Sequence, residues 1–258
     1  MNLKLLIFLV LTYLGGGVFT SFGILRQKQV GPNYFRIHGL GLTAVLFAAY
    51  FLLGRDSLDR DSTLWFSLFL ACALGFSFFT GLSTRLSMAC YFLGVISFFG
   101  ALSMNISQLA IGRENFFLLI NSVLASFVLG FSMAAMMLGH WYLVQPKLSI
   151  DELGRTTLIM IFFLLLRFLF GTTQAFSLLR GMNEVEMLRY FVKAPGVFVL
   201  MRYLWGILGA LVLSFLVWRT VKIRSTQSAT GILYVVVVAT LVGEILSLYL
   251  AFYFGITI

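Results

Sequence analysis

Charge is scarce in this sequence. Asp, Glu, Lys and Arg make up 10% of its 258 residues, where an ordinary soluble domain carries roughly 25%. Too few ionised side chains exist to coat a water-soluble fold. Acidic residues are the scarcest, nine against eighteen Lys and Arg, and the net charge is +9. That excess does not point to nucleic acid, because the basic residues are scattered among short links and form no stripe. No nucleic-acid partner is expected. Proline is nearly absent: Pro32, Pro146 and Pro195 all fall in links or at helix ends, where a missing N–H costs little. Proline therefore gives no sign of the mid-membrane helix breaks common in secondary transporters, although glycine can still supply one. The two cysteines, Cys72 and Cys90, sit in separate apolar runs at different depths. Their spacing excludes a zinc or redox pattern and argues against a disulfide. No nucleophile elbow, HExxH or dinucleotide fingerprint occurs.

What the sequence does contain is apolar length. It is 60% hydrophobic with a mean hydropathy of +1.01. A transmembrane helix needs about 20 apolar residues, and backbone groups in lipid must be satisfied within the segment, so runs of this length are helices. The expected fold is all-α: a polytopic bundle of about eight transmembrane helices in one domain, with the lipid bilayer as its solvent. The spans fall near residues 5–25, 37–54, 64–82, 86–104, 116–144, 156–179, 197–218 and 231–255. Seven or nine spans are the alternatives, because the fifth run is long and the third and fourth share a tight turn. Lys4 followed by an apolar run resembles a signal peptide, but the run continues through Gly15, Gly16 and Gly17 to Leu25. A signal core is typically about 7–15 residues, so this segment reads as a retained first span.

Eight spans place both termini on one face. Connections after odd-numbered spans carry nine Lys and Arg and those on the opposite face seven. By the positive-inside rule the odd connections are cytoplasmic, which in a bacterial cell means the inner membrane. Trp65, Trp141 and Trp218 lie near span ends as interfacial anchors, while Trp205 is expected inside the bundle. Along span five Ser122, Ser126, Gly130 and Ala134, with Ala135 and Gly139, form small-residue ridges that let helices approach closely.

Three ionisable groups lie well inside the apolar runs: Arg167, Arg202 and Glu244. A charge at the bilayer centre costs about 2.5–3.5 kcal/mol on insertion scales, so each should face the interior with a partner. Helical spacing puts Arg167, Gly171 and Gln174 on one face of span six, and Arg202, Gly206 and Gly209 on one face of span seven. Thr240, Glu244, Ser247 and Ala251 line one face of span eight. At 1.5 Å per residue Arg167 lies ~16 Å, Glu244 ~20 Å and Arg202 ~24–27 Å from the face of the odd connections. One carboxylate at intermediate depth can bridge both guanidinium groups by hydrogen bonds. The set is either an ion network that docks three helices or a polar pocket with one cation in excess, suited to an anion, a quinone carbonyl or a proton path.

The stretch Phe131–Pro146, FSMAAMMLGHWYLVQP, carries His140. His38 opens span two at the same face, so the pair are candidate haem or metal ligands. Met133, Met136 and Met137 share a face with His140 and would favour a soft metal, although methionine stripes more often fill cores. The loop around Arg55, Asp56, Asp59, Arg60 and Asp61 lacks the glycine and spacing of a calcium loop. Asn105 and Ser107 fit a glycosylation sequon by chance composition. Ser228 or Thr230 is placed to cap span eight.

Three functions follow from these groups. The first is a membrane subunit of a redox or respiratory assembly, binding a quinone or haem b alongside other membrane subunits in electron transport. The second is a transporter for a small solute, anionic or proton-coupled. The third is a scaffold or assembly subunit without a ligand. The chain does not read as an enzyme on its own.

Overall fold

The computed structural model describes residues 3–55, 58–109, 115–145 and 148–257. Asp56, Arg113, Pro146 and Lys147, and the side chain of Ser107, lie outside that description. Among the described residues there are eight helices long and apolar enough to cross a membrane and no strand. They are span one, Leu3–Ser21; span two, Pro32–Gly54; span three, Arg60–Phe79; and span four, Thr84–Ile106. Span five is Phe116–Val144, span six Asp151–Leu179, span seven Ala194–Lys222 and span eight Thr226–Phe254. The chain is a multi-pass helical membrane bundle.

Span five keeps the expected limits, whereas spans six to eight run up to five residues past theirs. Charged and polar residues stop the membrane but not the helix. Asp151 and Glu152 in the first turn of span six favour the positive end of the helix dipole, and Lys222 closes span seven at its negative end. Span eight accordingly begins at Thr226, one turn before the expected caps. Ser228 instead bonds Ser225 (Oγ–Oγ 3.0 Å), and Thr230 donates to the Thr226 carbonyl at 2.8 Å. Asp59 has a definite job in its loop, accepting from the Ser62 N–H at 3.3 Å as the N-cap of span three.

One helix was not legible as such. Glu184–Val192 has no buried residue and a strongly one-sided apolar face, as a helix lying along the membrane surface requires. Its start is a reciprocal cap: Asn183 accepts from the Glu186 N–H at 2.9 Å, and the Glu186 carboxylate accepts from the Asn183 N–H at 3.0 Å. The N-x-x-E spacing was the available signal.

Span five is the hub, packed against spans one, six and eight. Its ridge does what close approach demands. A Cβ on Gly17 would stand 1.8 Å from the Ser126 carbonyl oxygen, and one on Gly130 would stand 2.1 Å from the Gly17 carbonyl carbon. Only hydrogen fits between spans one and five at that level. Gly139, in the second ridge, lies against Thr230 of span eight. Spans one to four enclose an aromatic core, with Phe19 at 5.5 Å centroid distance from Phe69, Phe76 and Tyr91. Cys72 and Cys90 are free thiols in the interface of spans three and four, facing Gly94 and Gly75 respectively. Asn105 is buried, 2% exposed, and so is not presented for glycosylation.

Candidate functional site

The second half of the bundle has a polar centre. Arg167 and Arg202 are fully buried and Glu244 is 2% exposed. Arg167 grips Glu244 with a two-pronged fork, Nε to Oε1 at 3.0 Å and Nη2 to Oε2 at 2.6 Å. Its remaining donors reach Asn121 Oδ1 (2.6 Å, from Nη1) and Ser247 Oγ (3.2 Å, from Nη2). Asn121 Nδ2 in turn lies 3.4 Å from Ser247 Oγ. Four groups from spans five, six and eight are thus tied together, and bidentate charge-assisted bonds are the strongest of their kind.

Arg202 is bound differently. Its Nη2 lies 3.6 Å from Glu244 Oε2, an ionic contact outside hydrogen-bond range. Its Nη1 donates a short hydrogen bond to the Gly243 carbonyl. Among the described residues Nε and Nη2 have no hydrogen-bond acceptor, although both are buried. The expected bridge is therefore half made: one guanidinium has taken both carboxylate oxygens, leaving the other in ionic contact only.

The backbone explains how Arg202 comes so close. Residues Arg202–Gly209 form π-helical turns in the middle of span seven. Gly206 meets Gly243 across the interface, where an added Cβ would stand 2.5 Å from the Gly243 Cα. This is a mid-membrane irregularity made without proline, and wide turns of this kind recur at functional sites. It also corrects the placement of Trp205, which is 50% exposed rather than packed inside. Three residues of α-helix would return it near the face of Arg202, but the wider turn carries it round to the outside.

The other sequence candidates separate. Ser247 belongs to the cluster. Thr240 does not: one turn away, its hydroxyl is 3.1 Å from Ser132 Oγ and 3.0 Å from the Val236 carbonyl, a latch between spans five and eight. Gln174 is half-buried and makes no hydrogen bond among the described residues. Seven residues along a helix is about 10.5 Å, too far for it to reach the carboxylate that Arg167 holds. Asn121 was missed, because the ridge beside it had already accounted for that stretch as packing. An amide within an apolar run was the signal. Next to it, Tyr13 and Ser122 hydroxyls are 2.8 Å apart, and a recess of about 10 Å³ lined by Tyr13, Asn121, Ser122 and Leu248 has room for roughly one water.

At the face of the odd connections, His38 packs against Trp141, the sequence neighbour of His140. His38 Nδ1 is 2.8 Å from the Tyr34 carbonyl oxygen. A carbonyl only accepts, so Nδ1 carries the proton and Nε2 keeps the lone pair. The His38 ring packs at 4.3 Å from Tyr34 and 5.8 Å from Trp141, while His140 is exposed. Met133, Met136 and Met137 pack against the apolar core. Among the described residues no group of three His, Cys, Asp or Glu side chains is arranged to hold a metal. Comparison with protein families, with curated proteins and with solved structures finds no match, so the functional reading rests on this geometry alone.

Proposed function

We propose that this protein binds a small anion at Arg202 and carries it across the bacterial inner membrane, with the connections after odd-numbered spans in the cytoplasm. The observation that carries the reading is the pair of buried Arg202 donors, Nε and Nη2, which make no hydrogen bond among the described residues, Nη2 being only in ionic contact with Glu244, in a cluster of two guanidinium groups and one carboxylate. A cluster meant only to dock helices is complete with Arg167 and Glu244. Adding Arg202 leaves one positive charge in a setting where a charge costs several kcal/mol. A quinone carbonyl would accept a hydrogen bond and leave that charge in place. An anion with two acceptor oxygens takes both donors as a fork and cancels it. Entry to a centre this enclosed requires span seven to move against span eight, and the π-helical stretch at Arg202 is where a helix yields most readily.

The test is efflux of chloride, formate and phosphate from proteoliposomes. Arg202→Gln and Arg167→Ala should lower the flux of the transported anion by at least about tenfold, the scale set by losing one charge-assisted hydrogen bond. Glu244→Gln should alter its dependence on concentration. Flux in all three variants equal to wild type removes the reading.

A second reading, a quinone- or haem b-binding membrane subunit of a redox assembly, draws on one separate observation. His38 has spent its Nδ1 proton on a carbonyl, as ligating histidines do, and His140 follows at the end of span five. The optical spectrum decides it: purified protein without a haem band and without a titratable quinone excludes it.

A further inference from the structure

Where spans six and seven reach the face of the odd connections, they leave an open cleft of about 510 Å³. Its outer rim carries Arg155, Lys222 and Arg224, and its inner wall carries Leu158, Trp218 and Val221. A smaller recess of about 250 Å³ continues from it past Arg224 towards Thr226, at the start of span eight. None of the three cations makes an ion pair among the described residues. Among the described lining residues the one carboxylate, Asp151, is engaged by the Ser149 hydroxyl at 2.5 Å, and the next along the helix, Glu152, faces Arg26. Lys222 Nζ sits 3.5 Å over the Trp218 ring, which fixes the ammonium at the level where tryptophan marks the membrane interface. Arg224 adopts φ 58°, a left-handed conformation rare outside glycine. Leu158 is 50% exposed and continues the inner wall towards the acyl region.

We infer that this cleft binds the phosphate-bearing headgroup of an anionic phospholipid. Three cations against one carboxylate give the rim a surplus of positive charge. The apolar wall beneath it suits an acyl chain and would be idle for a free anion. Basic pockets between transmembrane helices hold anionic headgroups by this combination. The site is remote from Arg202 and independent of the transport reading.

The experiment is native mass spectrometry of the full chain purified into detergent with equal phosphatidylglycerol and phosphatidylcholine. Wild type is expected to retain phosphatidylglycerol preferentially. Each of Arg155→Gln, Lys222→Gln and Arg224→Gln should weaken that retention about fivefold, and the three together more than any one. Arg155→Lys should keep it, as should Arg219→Gln, a charge removed outside the cleft. The single variants carry the test if the triple variant does not fold. Equal retention of both lipids by wild type overturns the inference, as does unchanged preference in the triple variant. Loss of bound lipid on adding millimolar inorganic phosphate overturns the lipid in favour of free phosphate.

Discussion

The two halves of the bundle solve the problem of packing in lipid with a different emphasis. Spans one to four interlock through rings: Phe8 with Phe66 at 5.1 Å, Phe69 with Phe98 at 5.5 Å, Phe22 with Phe76 at 5.8 Å. Spans five to eight also have ring contacts, Phe127 with Phe163 at 4.6 Å, but add a buried arginine–glutamate cluster fed by Asn121 and Ser247. Lipid tails are as apolar as phenylalanine, so the aromatic half gains only from better contact, spread over many rings. The polar half concentrates its energy in a few bonds whose alternatives in hydrocarbon are poor. The first arrangement degrades gradually under substitution. The second fails at single residues, and a ligand can exploit it.

That contrast can be broken experimentally. The largest effect is expected for Glu244→Gln, which leaves two buried guanidinium groups without their counter-charge. Removing one partner of a buried pair costs about 3–5 kcal/mol, read as a lower unfolding midpoint in detergent. A midpoint within a degree of wild type would mean that the cluster does not hold the helices. Next comes Gly130→Ala, whose Cβ would meet Gly17 backbone atoms at 2.1–2.5 Å. Overpacking of this kind costs about 1–3 kcal/mol and should loosen span one from span five, seen as faster proteolysis near the N-terminus. Phe69→Leu, in the aromatic half, should cost about 1 kcal/mol, and its neighbours should share the loss. If it rivals Glu244→Gln, the halves do not differ as argued. The smallest effect belongs to Ser132→Ala, which cuts the contact with Thr240 and should cost about 0.6 kcal/mol, the average for an interhelical bond in a membrane.

Much of this was readable in the chain. Glycine and serine at four-residue spacing marked the face of span five that touches span one. The cost of charge in hydrocarbon required Arg167, Arg202 and Glu244 to face inward. The misreadings share a cause. Gln174 and Trp205 were placed by α-helical spacing, which carries no information about axial reach or about a change of helical pitch. Asn121 was passed over because one face of span five already had an explanation.

The sequence by itself determined where the apolar cores of the spans lie, though not where each helix ends, because hydrophobic length and backbone satisfaction in lipid are local requirements. Tertiary structure decided the partners. Which guanidinium takes both oxygens of Glu244, and which makes only an ionic contact with it, depends on how spans six, seven and eight approach one another, closest where Gly206 meets Gly243. No spacing rule along a single chain encodes a distance between two helices.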